Sequence, residues 1–123
     1  MSKIVINSFI KSNTTNEAIS NKKVIKKGNI ISFYHDGVNN KIEIKDEKVK
    51  LTRDSKESLI ILEFEKNKII GGIYKVKELN INMNIKTVTK DLVMKENGFK
   101  IEYDLFINDV YSDSFIYEFD WRC

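Results

Sequence analysis

Apolar and polar residues alternate with a period of two over long stretches of this chain. Leu79, Ile81, Met83 and Ile85 alternate with Asn80, Asn82, Asn84 and Lys86, and Phe99, Ile101, Tyr103, Leu105 and Ile107 alternate with Lys100, Glu102 and Asp104. Successive side chains of a strand point to opposite faces, so each run predicts a strand with one wet and one buried face. In the final segment Tyr111, Asp113, Phe115, Tyr117, Phe119 and Trp121 share one parity. A three-residue hairpin loop at Asn108-Asp109-Val110 sets Ile107 against Tyr111, Tyr103 against Phe115, Ile101 against Tyr117 and Phe99 against Phe119. The two apolar faces then coincide, and Lys100 meets Glu118 on the other face.

Segments rich in Ile, Val, Tyr and Phe recur every eight to twelve residues or so, which predicts strands at about 3–11, 18–26, 30–36, 40–46, 49–54, 58–66, 69–76, 79–90, 98–107 and 111–121. The connections carry turn chemistry: Lys27-Gly28-Asn29, Asp36 to Asn40, Asp46-Glu47, Lys66-Asn67-Lys68 and Glu96-Asn97-Gly98. Residues 12–22 are polar and read as a loop or a short helical turn. From Asp54 to Lys66 an amphipathic helix competes with a strand, and the adjacent β-branched Ile60 and Ile61 favour the strand. Gly71-Gly72 inside a strand marks a bulge or a sharp bend. Ten antiparallel strands with one apolar face each close most economically into a barrel, with a two-layer sandwich as the alternative.

Composition narrows the class. A chain of 123 residues and 14.4 kDa is the size of one domain, spanning 1–123, and 41% hydrophobic residues with no Pro exclude a disordered or collagen-like chain. The 21 basic and 18 acidic residues leave a net charge of +3, too weak and too mixed to mark a nucleic-acid partner. Cys123 is the one cysteine, so no internal disulfide forms. Met1 to Ile10 lacks the apolar core of a signal peptide, and no apolar run approaches the roughly 20 residues that cross a bilayer. The expectation is a cytoplasmic protein with no membrane partner, and the abundance of Lys, Ile and Asn suits a bacterial gene low in G and C.

Few residues suggest chemistry. Transition-metal sites want three or four ligands, and His35 with Cys123 is the entire soft set, so no metal is expected. His35 reads as a strand-end residue beside the turn at Gly37. No Ser or Cys carries a nucleophile signature, and the pairs Glu63 with Glu65 and Glu102 with Asp104 read as solvated surface. Gly71-Gly72 lacks the helix start of a phosphate loop. Neither an enzyme nor a cofactor is expected. Almost all the basic residues are Lys. The exceptions are Arg53 and Arg122, and Arg53 shares parity with the apolar Val49 and Leu51.

The residues Leu51-Thr52-Arg53, Phe64, Tyr74, Ile81 to Thr87 and Ile101-Glu102-Tyr103-Asp104-Leu105 together resemble the YwiB-like bacterial family of unknown function, over nearly the whole chain. The resemblance implies an antiparallel calycin, or lipocalin-like, β-barrel of about 8–10 strands. Where that family follows its Arg with a small residue and Gly, this chain has Asp54-Ser55. Where the family has Thr-Pro-aromatic-Gly after its Tyr, this chain has Val76-Lys77-Glu78-Leu79. Calycin barrels hold small ligands in the lumen, and an inward guanidinium beside hydroxyls suits a carboxylate or phosphate. Two expectations follow. In the first, Arg53, Tyr74, Thr87, Tyr103 and Tyr117 hold the anionic head of an amphipathic small molecule. In the second, the barrel is filled, its polar groups satisfy one another, and the protein is an interaction module, for instance a homodimer.

Overall fold

The computed structural model describes all 123 residues. Ten strands follow in order: β1 (Ser2–Lys11), β2 (Asn16–Lys27), β3 (Ile30–His35), β4 (Val38–Lys45), β5 (Lys48–Ser55), β6 (Ser58–Glu65), β7 (Ile69–Val76), β8 (Ile81–Lys95), β9 (Gly98–Ile107) and β10 (Val110–Arg122). Each strand pairs antiparallel with the next, and β1 pairs with β10 as well as β2, which closes the sheet into a single barrel. Closure gives every strand two neighbours and turns the apolar face of each inward. Asp54 to Lys66 therefore holds a strand and not a helix. Residues 12–22 are mostly strand too: only a tight turn precedes Asn16, where β2 begins. The strand expected at 79–90 instead runs from Ile81 to Lys95.

The last hairpin corrects one detail of the expected register. Asn108 and Asp109 both adopt positive φ, 52° and 63°, the backbone of a two-residue type I′ turn that twists with the strands it joins. Val110 rather than Tyr111 therefore faces Ile107. A bulge between Tyr111 and Asp113 then inserts the residue that the shorter turn left out, so Phe115 opposes Tyr103, Tyr117 opposes Ile101 and Phe119 opposes Phe99 as expected. The bulge also sends Tyr111 outward, out of the inward row that Asp113 shares with Phe115.

Seventeen apolar residues form one buried cluster inside the barrel. Phe99 stacks on Phe119 and meets Tyr117 edge-on, and the Phe64 and Tyr103 rings lie 4.6 Å apart. Phe64 on β6 and Tyr103 on β9 are not on neighbouring strands, so this contact bridges the lumen.

Two seams interrupt the wall. β2 and β3 are in register only at Ile25 to Lys27, and β6 and β7 only at Ser58 to Ile61. At the second seam a side chain on Gly72 would collide with the carbonyl oxygen of Ile61, which explains a glycine where the strand must bend against its neighbour. The first seam opens past Ile25 and Ser32, where β2 runs on toward Glu17 and β3 toward Phe33.

Candidate functional site

The barrel is packed unevenly. Inward residues near the chain termini and the 46–47 and 96–97 turns, such as Ile6, Ile31, Val49, Phe64, Phe99 and Phe119, are fully enclosed. At the other end, which carries the 12–15, 36–37, 56–57, 77–80 and 108–109 turns, the inward Phe33, Ile60, Tyr74, Leu105 and Phe115 pack on the core while staying partly exposed. The result is an apolar mouth above an aromatic floor.

Arg53 lies in this mouth. On β5 it continues the inward row of Val49 and Leu51, with Asn40 opposite on β4 and Ile60 opposite on β6. Ile60 in turn faces Tyr74, and Tyr74 faces Met83, so one row across five strands sets a cation between the polar Asn40 and an apolar stretch. The guanidinium crosses the lumen toward Glu17 of β2, with Nη2 3.7 Å from Oε2 and each side chain about a third exposed (31% and 33%). At that distance the two charges attract without a direct hydrogen bond. Glu17 is brought inward because it pairs with Ile10, which pairs with Tyr117.

The two inner tyrosines both feel the Arg53 charge. Burial drives the phenol pKa of both Tyr103 and Tyr117 upward, and the nearby Arg53 offsets part of the rise in each. Asp113 raises Tyr103 further, and Tyr103 and Glu17 raise Tyr117. Both phenols are therefore neutral at pH 7 and available as hydrogen-bond donors. No side-chain hydrogen bond within the chain engages Tyr74, Tyr103 or Tyr117, whereas the outward Tyr111 bonds Ser114 at 2.6 Å.

Of the five residues expected to hold a ligand, Arg53, Tyr103 and Tyr117 are electrostatically coupled, and Tyr74 stands in the same cross-strand row as Arg53. Thr87 is set apart: it is enclosed, and its hydroxyl donates to the Glu63 carbonyl at 2.6 Å. That bond spans the place where β6 has lost register with β7. Its neighbour Thr89 has a buried Oγ1 with no partner in the chain. His35 ends β3, with Nε2 3.3 Å from Asp36.

Two acidic residues of the mouth escaped the sequence reading. Glu17 fell in the polar stretch read as a loop, although its parity with Ile19 carried the signal. Asp113 was visible as a charge inside an otherwise apolar row. It is 4% exposed, and it fastens the β1–β2 turn to the barrel. Thr14 Oγ1 donates to its Oδ2 at 2.8 Å, and the amides of Asn13 and Ser114 donate to its Oδ1 at 3.3 and 2.8 Å. The Ser12 hydroxyl foremost, then Thr14 and the two amides, outweigh burial and hold this carboxyl down at about 2.

Of nine clefts on the surface, five measure about 250–400 Å³. The largest, about 400 Å³, follows the outer wall of β3 to β5, and another of about 340 Å³ runs from Glu43 to Glu65 and reaches Phe64. None of the five is lined by Arg53, Tyr74, Thr87, Tyr103 or Tyr117. No group of three or more His, Cys, Asp and Glu gathers as metal ligands would.

Comparison with known proteins agrees with this architecture. The ywiB protein from Bacillus subtilis has a crystal structure that superposes with a TM-score of 0.58 at 17% identity, over 98% of this chain and 91% of the other. At that identity the likeness concerns the fold. A search among curated proteins finds no match. The family model described as a domain of unknown function, DUF1934, matches residues 4–118, nearly every strand of the barrel, and the chain is therefore a member of the DUF1934 family.

Proposed function

We propose that this protein is a calycin-like, non-enzymatic binding module whose open mouth takes an amphipathic small molecule with an anionic head. The observation that carries the reading is Arg53, an inward cation at the foot of a partly exposed apolar mouth, held to Glu17 only at 3.7 Å. A carboxylate or phosphate entering the mouth competes with Glu17 for the guanidinium and offers it shorter, charge-assisted bonds. The phenols of Tyr103 and Tyr117 are donors for the same head, and Phe33, Ile60, Tyr74 and Phe115 provide apolar surface for its tail. The enclosed aromatic floor limits the depth of the site, so a short chain suits it better than a long one.

Calorimetric titration with decanoate, and in parallel with decanol, tests this reading. Saturable binding of decanoate that is at least tenfold tighter than that of decanol supports an anion held at Arg53. Equal affinities, or no binding of either, would overturn it.

A further inference from the structure

The outer wall over β6, β7 and β8 differs from the rest of the barrel surface. Outward positions elsewhere are mostly Lys, Glu, Asn and Ser, whereas here Ile61 opposes Ile73 and Ile69 opposes Val88. Ile69 and Ile73 are 69% and 48% exposed. Between them Gly71 presents bare backbone, with open space where a Cβ would stand. β7 thus presents two exposed isoleucines on either side of a flat centre, and together with the neighbouring Ile61 and Val88 they form a patch that marks an interaction surface where a single exposed side chain does not.

The flanks of this patch carry opposite charge. On the β6 side Glu63, exposed, follows Ile61 and stands opposite Lys50 of β5 without closing to ion-pair distance. On the β8 side Lys86 sits opposite Gly71. A two-fold axis parallel to β7, lying in the plane of contact, places β7 on β7, Ile73 on Ile73, and the Glu63 flank of each copy over the Lys86 flank of the other. The two flanks therefore complement each other across the axis, as an isologous interface requires, and the outward Lys75 meets its own copy at the end of the patch. A partner of uniform charge would gain at one flank and lose at the other.

We infer that the β6–β8 wall is a homodimer interface, with β7 at its centre and a reciprocal Glu63–Lys86 contact on each side. This stands apart from the proposed ligand site, because the wall faces away from the mouth and uses none of its residues.

Sedimentation velocity of the full chain from 5 to 200 µM tests it, with circular dichroism to verify folding. The wild type is expected to form dimers, and Ile73→Lys and Glu63→Lys each to weaken dimerisation at least tenfold. The double variant Glu63→Lys/Lys86→Glu should recover it. Lys86 also contacts Asp109 at 2.7 Å, but Asp109 lies in an exposed turn, so reversing Lys86 breaks only a surface pair within its own chain. A wild type that stays monomeric at 200 µM overturns the inference. So does a dimer that survives both single substitutions, or a double variant that fails to recover.

Discussion

Arg53 and Glu17 face each other across the lumen at 3.7 Å, from strands β5 and β2 that share no ladder. Each is about a third exposed, so the pair is close enough to neutralise itself and open enough to be separated. Water screens it, and its worth to stability is under about 1 kcal/mol. Its meaning lies in competition, since whatever binds Arg53 must displace Glu17.

That competition sets opposite signs for two substitutions. Arg53→Met should weaken decanoate binding about tenfold or more, as the loss of a charge-assisted bond implies. Glu17→Gln should strengthen it, because the internal competitor is gone. Calorimetry on both variants checks the pair of signs.

Thr89 offers a stability test independent of any ligand. Its buried Oγ1 has no partner, so the desolvation of that hydroxyl is uncompensated. Thr89→Val keeps the shape and removes the cost, and it should be neutral or stabilising by up to about 1 kcal/mol. Thr87→Val should be destabilising by about 1–2 kcal/mol, since it leaves the Glu63 carbonyl without its 2.6 Å donor. Urea unfolding of the two variants should separate them in opposite directions.

The contrast between those threonines shows how far the sequence could be read. Segments rich in Ile, Val, Tyr and Phe between turn residues located all ten strands, and period-two alternation, which burial of one face imposes residue by residue, showed the faces of those in the last third. The same parity marked Arg53 as inward, and cross-strand matching of apolar rows recovered Tyr103 opposite Phe115. Local irregularity was hidden. A two-residue turn followed by a bulge has the same residue count as a three-residue loop, so nothing in the pattern distinguished them, and the bulge is what turns Tyr111 outward while Asp113 keeps the inward parity of Phe115. The approach of Glu17 to Arg53 and the half-register seams depend on how the barrel closes, which alternation within single strands does not encode.

Asp113 makes stability depend on acid. Its carboxyl is held down at about 2, below the unfolded value near 3.9. A depressed folded pKa contributes stability that is present above the unfolded pKa and lost as pH falls through the folded one. Thermal unfolding should therefore show a loss of Tm between about pH 4 and pH 2. Asp113→Asn should shrink that loss and loosen the 12–15 turn, seen as faster amide exchange at Asn13.

The phenols act at the opposite extreme. Tyr103 and Tyr117 have folded pKa values raised above the unfolded value of about 10, so their contribution is complete below pH 10 and is lost as pH rises beyond it. Tyr103→Phe/Tyr117→Phe should shift the midpoint of alkaline unfolding to higher pH, followed by the fluorescence of Trp121.

The most direct test of the ligand-binding account is an NMR titration of the isotope-labelled chain with decanoate, following the Arg53 Nε–H signal and the backbone amides. The account predicts saturable shifts of that signal and of the amides of Phe33, Ile60, Tyr74 and Phe115, with the outer wall of β7 unmoved. An unchanged Arg53 signal at saturating decanoate, or shifts confined to the outer wall, would contradict it.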